Sequence, residues 1–479
     1  MNSFDEIYIL DLHGNSLKKE KCPDGSKDEN VFDIQQGVSI ALLVKRKDKK
    51  DSCKVFHSET WGLREQKYRW LLKNDINTTK WKGLSPKSEF YLFIPRDERL
   101  LKEYESYPKI TDIFIQNSVG IVTARDSFVI DTDKERLKQR IRMFIDEKMP
   151  DEYVGQTFNL KDKPNWKLKV ARAKVRKDET WQESIKQILY RPFDIKWIFY
   201  HDAVIERTRK QVMYHMMREN LGLIFHKREE LSIPYSHFLA TSNVIEHGCL
   251  SSKTTCYLAP LYLYSEKNIP EKRPSVRNLM LFEPQADYGT RKANLSPVII
   301  EQLTKSFKKT PSPEQIFFYI YAVLYSNIYR TKYAEFLKID FPRIPFPKDY
   351  KLFIKMGDYG KRLVDLHLLK SPEINPPIAK FQGKGDNKVE KLRYESARLF
   401  INENQYFEGI EPEVFEYKIG GYQVCEKWLK DRKERKLSLD DIKHYCNIVT
   451  AIKKTIEIQK VIENIYPKVE DDTRMVLSK

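Results

Sequence analysis

The sequence predicts an α/β protein, α+β overall, in which short sheet strands come first and a β-rich and then a helical region follow. Three observations support this class. Two short apolar segments near the N-terminus have the composition of strands, residues 190–264 contain further apolar runs, and the chain after residue 301 shows helical periodicity. With 479 residues and a hydrophobic fraction of 41%, the chain can bury the cores of two or three domains.

The first predicted elements are strands at residues 6–12 and 38–44. Both segments are rich in Ile, Leu and Val and lie between polar loops, a pattern typical of buried sheet strands. Two strands do not make a stable domain, so they must join a larger sheet.

A helix is predicted after Asp133, with Leu137, Ile141 and Phe144 on one face. The most basic segment of the chain follows at residues 161–177, which hold eight Lys or Arg and one Asp. The ordinary interpretation of such a run is a solvated helix face. Apolar residues interleave with its charges, however, so we expect one side to pack and the other to present cations to a nucleic acid.

Residues 190–264 are predicted to be β-rich, with runs at 197–200, 222–225 and 257–264. A helix then begins at Ser312, where Pro313 and Gln315 complete a capping box. Its tyrosines recur every four residues, which favours a packed face over base stacking. The last helix begins near Ser438 and has an apolar stripe.

Charge and composition limit the class of partner and the location. The net charge of +17 and the isoelectric point near 9.2 favour a polyanionic partner. There is no signal peptide and no apolar run long enough to span a membrane, and the six cysteines are scattered, so we expect a cytoplasmic protein without a membrane partner. His247, Cys249 and Cys256 lie close in sequence but form an incomplete ligand set, so no metal site is predicted.

Residues 371–388 resemble two loops of a DNA adenine methyltransferase. Asn375-Pro376-Pro377-Ile378 is similar to the loop that holds the target amine, and residues 381–385 are similar to the loop that cradles S-adenosylmethionine. These loops should follow different strands of one parallel sheet, which need long crossovers between them. Here they lie four positions apart, so neither is predicted to be a functional loop.

Two other patterns are weaker still. Residues 357–361 end in Gly-Lys like a phosphate-binding loop, but the spacing is too short. Asp151 with Asp194 and Lys196 matches a nuclease only loosely, and such patterns arise by chance in charged chains. We therefore predict no catalytic residue.

The order of several modest motifs is more specific than any one of them. They cover the chain from about residue 5 to about residue 460, at residues 7–15, 30–38, 120–126, 190–194, 259–264, 340–345, 371–388, 420–424 and 428–432. In these segments the chain resembles the C-terminal part of a type ISP or type IIG restriction–modification polypeptide. That family fuses an N6-adenine DNA methyltransferase to a target-recognition domain, with nuclease and motor parts upstream.

The resemblance implies three domains. Residues 1–110 would be the C-terminal remnant of the methyltransferase domain, containing the terminal strands of a Rossmann-like sheet. Residues 111–300 would be the β-rich target-recognition domain, including the basic segment 161–177. Residues 301–479 would be the helical C-terminal part of the specificity domain.

The resemblance also implies which catalytic parts to expect. Phe32 falls where the family has an aromatic residue near the flipped adenine, and an extruded base needs such a ring to replace its lost stacking. The alternative is a core phenylalanine at the start of a strand. The cofactor loop and the Asn-Pro-Pro-aromatic loop would precede residue 1, so we expect no cofactor in this chain, S-adenosylmethionine being required by the complete parent enzyme.

The leading functional hypothesis is sequence-specific recognition of double-stranded DNA. Lys167, Lys169, Arg172, Lys174 and Arg176 would neutralise phosphates. Arg191, Arg207 and Arg209 are candidates for guanine contacts, since a guanidinium can bond O6 and N7 together. For Arg191 we favour the alternative that it pairs with Asp194 and fixes a turn.

Two other hypotheses remain. A separately encoded N-terminal half with the catalytic loops would dock on residues 1–50 and complete an N6-adenine methyltransferase, because an unfinished sheet edge is a natural docking site. Alternatively, the chain is a truncated gene product that folds only in part.

Overall fold

The computed structural model describes residues 1, 3–46, 52–86, 93–95, 99–228, 234–265 and 291–474. The chain divides into two units, one formed by Met1–Lys102 and the other by Glu103–Arg228 and Pro234–Lys479. Helices and several small sheets occur together, which confirms the predicted mixed α/β class. The three domain boundaries from the sequence stay a prediction.

The first unit is built on a four-stranded mixed sheet with the strand order β2-β1-β3-β4. β1 pairs antiparallel with β2 and parallel with β3, and β4 closes the other edge antiparallel to β3. Leu10, Leu12 and Val31 form a core against which Trp70 and Leu71 of the following helix pack. The elements of this part are β1 (Glu6–Asp11), β2 (Ser39–Val44), β3 (Lys54–Glu59), α1 (Arg64–Lys73), β4 (Lys82–Leu84) and, at the junction, α2 (Leu101–Glu105).

β2 differs from the sequence prediction. The prediction of a buried strand holds for β1, whose Ile7 and Leu10 are buried, but it is wrong for β2. Leu42 and Leu43 of β2 are exposed, Leu43 to 51%, and successive strand residues point to opposite faces of the sheet. The described part of the chain therefore leaves β2 uncovered on both faces, and only one of its edges pairs with another strand.

The first half of the second unit contains two four-stranded sheets, with the orders β10-β9-β12-β5 and β11-β7-β8-β6, and the hairpin β13-β14. α5 packs against β6 and β8 of the second sheet, and α7 packs against α5. The elements are α3 (Ile110–Ile113), β5 (Ser118–Val119), α4 (Asp126–Val129), β6 (Ile130–Asp131), α5 (Lys134–Ile145), α6 (Asp151–Thr157), α7 (Leu168–Arg176), a 3-10 turn (Trp181–Ser184), β7 (Ile185–Arg191), β8 (Asp194–Phe199), α8 (Lys210–Met213), a 3-10 turn (Tyr214–Met217), β9 (Gly222–His226), β10 (Leu239–Thr241), β11 (Val244–Ile245), β12 (Cys256–Pro260), β13 (Tyr262–Tyr264) and β14 (Arg291–Ala293).

The second half is mainly helical and includes a four-stranded sheet of order β15-β18-β17-β16. α10 packs on α13, and α13 packs on α16. Among the described residues, no helix is both long and apolar enough to cross a membrane. The elements are α9 (Pro297–Phe307), α10 (Pro313–Tyr325), α11 (Asn327–Lys332), α12 (Ala334–Leu337), α13 (Tyr350–His367), a 3-10 turn (Pro372–Ile374), β15 (Lys380–Gln382), β16 (Arg393–Glu395), β17 (Arg398–Phe400), β18 (Tyr406–Glu408), α14 (Pro412–Phe415), β19 (Lys418–Ile419), β20 (Tyr422–Gln423), α15 (Val424–Lys430) and α16 (Leu439–Arg474).

The tyrosines near α10 pack, as predicted, and their hydroxyls are satisfied inside. Tyr321 and Tyr325 are fully buried; the Tyr321 hydroxyl lies 2.5 Å from His367 Nδ1, and the Tyr325 hydroxyl donates to the Phe238 carbonyl at 2.8 Å. The capping box at Ser312 and Gln315 is present. The tyrosine stripe is therefore a core feature and offers no ring for base stacking.

Residues 371–388 contribute a strand to the sheet β15-β18-β17-β16. Lys380–Gln382 form β15, which pairs antiparallel with β18. Gly383 follows at a φ of +96°, and a Cβ at this position would lie 2.0 Å from the Asn404 carbonyl oxygen. The glycine thus serves a close backbone approach, which agrees with the conclusion that the segment is not a cofactor loop.

Candidate nucleic-acid interface

α7 carries the basic segment on its outer side. Leu168, Ala171 and Val175 are buried where α7 packs against α5. Lys167, Lys169 and Lys174 are exposed. We call these three residues the lysine face.

The lysine face has few competing anions. Lys169 and Lys174 form no ion pair with a described residue, and Lys167 pairs only with Asp162 at 3.4 Å, where both side chains are half exposed. Solvent screens such an exposed pair, so it competes little with another anion. Val170, one of the apolar residues that interleave with the charges of segment 161–177, lies among these lysines and is 51% exposed, so it does not belong to the packed side. The face is available to a polyanion.

Arg172 does not belong to this face, which corrects its predicted role as a phosphate contact. Its side chain is 2% exposed and pairs with Asp151. Its guanidinium also donates to the carbonyl oxygens of Phe144 at 2.6 Å, Asp146 at 2.6 Å and Met149 at 2.8 Å. The last carbonyls of a helix lack intrahelical partners and carry partial negative charge, so Arg172 caps the C-terminal end of α5.

Arg176 has the same role, so its assignment as a phosphate contact is corrected too. It is half-buried and donates to the carbonyl oxygens of Ile145 at 2.6 Å and Asp146 at 3.2 Å. Together with Arg172 it closes the end of α5. The five cations predicted to meet phosphates are therefore reduced to the three of the lysine face.

The side chain of Arg191 also forms contacts within the second unit, but the prediction that it pairs with Asp194 was wrong. Its guanidinium pairs with Glu246 at 2.7 Å and lies over the Tyr190 ring at 4.1 Å, with 17% of the side chain exposed. Burial alone would raise the pKa of Glu246, but the hydrogen bond with His247 and the charge of Arg191 lower it below its ordinary value. Arg191 is held as a structural cation and has little surface to offer a guanine.

Asp194, the partner expected for Arg191, pairs elsewhere. Its carboxylate lies 2.8 Å from Arg432 Nη2 and 3.4 Å from Lys196 Nζ, and the group is almost fully buried. Burial would raise the pKa of Asp194, yet the charges of Arg432 and Lys196 hold it below the usual value. Asp151 and Asp194, considered for a nuclease site, are thus each bound to a different arginine.

Arg207 lies on a loop that is fixed beside α7. The backbones of Arg207 and Val122 exchange hydrogen bonds of 2.9 and 3.1 Å, and Trp166 Nε1 donates to the Ala203 carbonyl at 2.7 Å. Trp166 directly precedes the lysine face, so this loop and α7 form one surface. The side chain of Arg207 is exposed.

Arg209 directly precedes α8, and its backbone is in the left-handed region, with a φ of 56°. Its side chain is half-buried, and its Nε is buried without a hydrogen-bond partner among the described residues. Guanine contacts by Arg207 and Arg209 stay predictions.

Phe32 is exposed, so the alternative of a core phenylalanine is wrong. Its ring is 56% exposed on the loop between β1 and β2. The backbone is fixed: Phe32 N donates to Asn30 Oδ1 at 2.8 Å, Arg64 Nη2 donates to the Phe32 carbonyl at 3.0 Å, and the Tyr68 hydroxyl donates to the Val31 carbonyl at 2.5 Å. An exposed ring on a fixed loop is what base stacking requires, and that role stays a prediction.

The cysteines considered for a metal lie together without the expected histidine. Cys249 Sγ and Cys256 Sγ are 3.5 Å apart, and the nearby imidazole is that of His226, whose Nε2 lies 3.1 Å from Cys256 Sγ. His247 pairs with Glu246 instead. Within the described ranges, no group of three or more His, Cys, Asp or Glu side chains is arranged to hold a metal ion.

Comparison with known proteins identifies the family of the chain. A family model described as the Type ISP C-terminal specificity domain matches residues 112–461. No curated protein matches the sequence.

Three solved structures have a similar fold. The nuclease-deletion mutant of the Type ISP restriction-modification enzyme LlaGI, in complex with a DNA substrate mimic, is 20% identical, with a TM-score of 0.66 over 96% of this chain and 37% of that one. The DrdV–DNA complex is 22% identical, with a TM-score of 0.69 over 95% of this chain and 47% of that one. The ATP-dependent Type ISP restriction-modification enzyme LlaBIII bound to DNA is 21% identical, with a TM-score of 0.70 over 96% of this chain and 31% of that one. This chain therefore spans about a third to a half of the length of these enzymes.

Proposed function

The chain belongs to the family of Type ISP C-terminal specificity domains, and from this premise we propose that it recognises the DNA target of a restriction–modification system. The partner is double-stranded DNA. Three proteins of similar fold were solved with DNA or a DNA mimic. We place the protein in the cytoplasm, where DNA is accessible and where the six free cysteines stay reduced.

The single observation that carries this proposal is the lysine face. It presents three ammonium groups on the exposed side of α7, while the other side of this helix is packed. Arg172 and Arg176 of the same helix bind the C-terminal end of α5 and hold α7 in place. Lysines at that position neutralise phosphates and set the register of the protein on the duplex. Arg207 on the adjoining loop would extend the same surface.

The salt dependence of DNA binding tests the proposal. We expect that replacing Lys167, Lys169 and Lys174 together by Gln lowers the slope of log affinity against log salt by about 2.7, from about 0.9 per phosphate contact. Between 50 and 200 mM salt that slope difference corresponds to a change of about 40-fold in relative affinity. Gln is as good a helix former as Lys, so α7 should persist.

A matched variant controls for the loss of charge. Lys305→Gln, Lys351→Gln and Lys355→Gln remove three exposed lysines from α9 and α13, outside the proposed surface, and should leave the slope nearly unchanged. Binding of the unaltered protein that does not respond to salt, or equal effects of the two triple variants, would contradict the proposal.

A second candidate function is favoured by the uncovered strand β2 and by the exposed ring of Phe32. In it, a separately encoded chain adds to the sheet at β2, supplies the S-adenosylmethionine and Asn-Pro-Pro-aromatic loops, and completes an N6-adenine methyltransferase. An apolar strand that pairs with a described strand along one edge only is suited to such pairing. Phe32 would then stack on the flipped adenine.

Reconstitution tests this second function. The reading frame upstream of Met1 is searched for the two loops, and its product is mixed with this chain, DNA and S-adenosylmethionine. Leu42→Lys together with Leu43→Lys should prevent complex formation, whereas Leu72→Lys, at a fully exposed position of α1, should not. Phe32→Ala should abolish methyl transfer and leave the complex intact. Absence of methyl transfer to adenine in the unaltered mixture would count against this function.

A further inference from the structure

A half-open groove of about 300 Å³ lies in the β-rich part of the second unit. Its walls come from the β7–β8 hairpin, the 3-10 turn Tyr214–Met217 and the residues before β11. Gln187, Trp197, Met217, Arg218 and Asn243 are among the side chains that line it. A volume near 300 Å³ is at the small end of ligand sites, which suits a single base or base edge.

The hairpin places an amide beside an indole. Gln187 and Trp197 are directly paired across the antiparallel strands β7 and β8, so their side chains lie on the same face of the sheet. Gln187 is exposed and Trp197 is half-buried. The ammonium group of Lys134, the first residue of α5, lies 4.8 Å from the centroid of the Trp197 ring.

Two side-chain amides in this groove have no hydrogen-bond partner among the described residues. The side-chain amides of Gln187 and Asn243 form no hydrogen bond with any described residue. The backbone of Asn243 is fixed, because its N–H donates to Thr241 Oγ1 at 3.0 Å. Other asparagines of the region use their amides for packing. Asn220 bonds the carbonyls of His215 and Tyr262, and Asn294 bonds those of Gln116 and Pro260.

A fixed cation completes the lining. Arg218 Nη2 donates to the Tyr214 hydroxyl at 2.6 Å, and the guanidinium lies over the rings of Tyr214 and Tyr264 at 5.2 and 5.1 Å. These contacts hold the guanidinium in one orientation, while its residue remains exposed. A cation of this kind beside two free amides suits a negatively charged ligand that also carries hydrogen-bonding edges.

The groove is connected to the lysine face. Trp197 meets α5 through Lys134, and α7, which carries the lysine face, packs against α5. On the other side, the chain runs from the Arg207 loop through α8 directly into the 3-10 turn of the groove. The groove and the lysine face are therefore both attached to α5.

We propose that this groove reads an adenine of the DNA target, with the side-chain amides of Gln187 and Asn243 each bonding one of the two groups, N6 and N7, on its major-groove edge and with Arg218 bonding a flanking phosphate. An amide matches either group, because its oxygen accepts from N6 and its nitrogen donates to N7. Trp197 supplies an apolar wall, which suits the methyl group of the paired or neighbouring thymine. The inference rests on the proposed DNA-recognition function and goes beyond it by naming the base and its readers.

Atomic substitution in the DNA tests the proposal. A preferred sequence is first selected from a random duplex pool with the full chain, and each adenine in it is then replaced by 7-deazaadenine or by purine, which lack N7 and the N6 amine respectively. We expect one adenine at which either analogue weakens binding of the unaltered protein roughly 10- to 100-fold, the range of a good bidentate contact. The double variant Gln187→Ala/Asn243→Ala should bind both analogues and the natural base alike, and each single variant should lose its response to at least one analogue.

Gln182→Ala is the matched control, because Gln182 is an exposed glutamine in the 3-10 turn that precedes β7. It should retain the full response to the analogues, and the melting temperature of each variant checks its fold. If the unaltered protein prefers a sequence but both variants keep every base preference, the inference is overturned and DNA recognition stands. A loss that is uniform across sequences would also overturn it, since it would show a backbone contact. If the unaltered protein shows no preferred sequence, the proposed function fails and the inference fails with it.

Discussion

Replacing Arg172 by Met should destabilise the protein without altering how it binds DNA. The substitution keeps an apolar stem and removes the guanidinium, leaving Asp151 and three carbonyl oxygens without their donor. The Asp151 side chain is 42% exposed and can be solvated, but each buried acceptor that is left unsatisfied costs about 1–3 kcal/mol. Arg176 still reaches the Asp146 carbonyl, so we expect a loss of about 3 kcal/mol in total.

Denaturant unfolding followed by circular dichroism measures this loss, with Lys174→Met as the control. Lys174 lies on the same helix, is exposed and has no ion pair with a described residue, so its replacement should change the free energy of unfolding by less than about 0.5 kcal/mol. The double variant Arg172→Met/Arg176→Met should show coupling of about 0.5–3 kcal/mol, because both guanidinium groups bond the Asp146 carbonyl.

DNA binding should show the reverse pattern to stability, with an effect at Lys174 and none at Arg172. Lys174→Met should lower the slope of log affinity against log salt by about 0.9, and Arg172→Met should leave it unchanged. Unaltered stability in Arg172→Met together with a lowered slope would refute the reasoning, because it would mean that Arg172 meets phosphate and does not cap α5.

Three further changes have outcomes set by single contacts. Gly360→Ala should destabilise the α10–α13 packing by about 1–3 kcal/mol, since its Cβ would lie 1.8 Å from the Phe318 carbonyl oxygen; Gly357→Ala, with nothing nearer than 3.7 Å, should be neutral or raise the melting temperature. Burial lowers the pKa of His367 to about 3, so its neutral form contributes stability that is complete above the ordinary pKa of 6.5 and declines as the pH falls. Between pH 6.5 and 5 the free energy of unfolding of the unaltered protein should fall by about 2 kcal/mol more than that of His367→Gln, as urea titrations at each pH would show. Equal losses of stability in the two proteins would contradict this. Asp194→Asn should cost about 3–5 kcal/mol at pH 7, because the charges of Arg432 and Lys196 lose their partner. Since the pKa of Asp194 is lowered in the folded state, that stability is present above about pH 4, the unfolded pKa, and is lost as the pH falls through the folded pKa; acid titration should therefore bring the two proteins together, and a constant difference would argue against the pairing.

Elements with strong local patterns were predictable from the sequence. The capping box at Ser312 and the apolar face of α5 needed only information from neighbouring residues, and the structure confirms both. β2 had an equally clear pattern, but its exposure depends on what covers it, which local sequence does not contain. Phe32 is a similar case, because an apolar residue beside a strand is buried or exposed according to the path of the loop.

The site was predicted less well, for a reason visible in α7. Counting charges put five cations on one surface, whereas helical spacing separates them. Arg172 follows Leu168 by four residues and precedes Val175 by three, which places it on the packed side; the lysines fall on the other side. That signal was present in the sequence. The partners of Arg191 and Asp194, by contrast, lie 55 and 238 residues away, and no spacing rule reaches them.

Segments that carry the family resemblance are fixed by contacts within the fold. Asp194 of segment 190–194 pairs with Arg432 of segment 428–432. A Cβ at Gly420 would lie 2.1 Å from the Leu250 carbonyl oxygen, so segment 420–424 is fixed by close packing. Residues committed to such contacts define the fold and have few free groups for DNA. The side chains that we propose to read a base, Gln187 and Asn243, lie outside these segments. The family can therefore be identified from the sequence, whereas the recognised DNA sequence has to be measured.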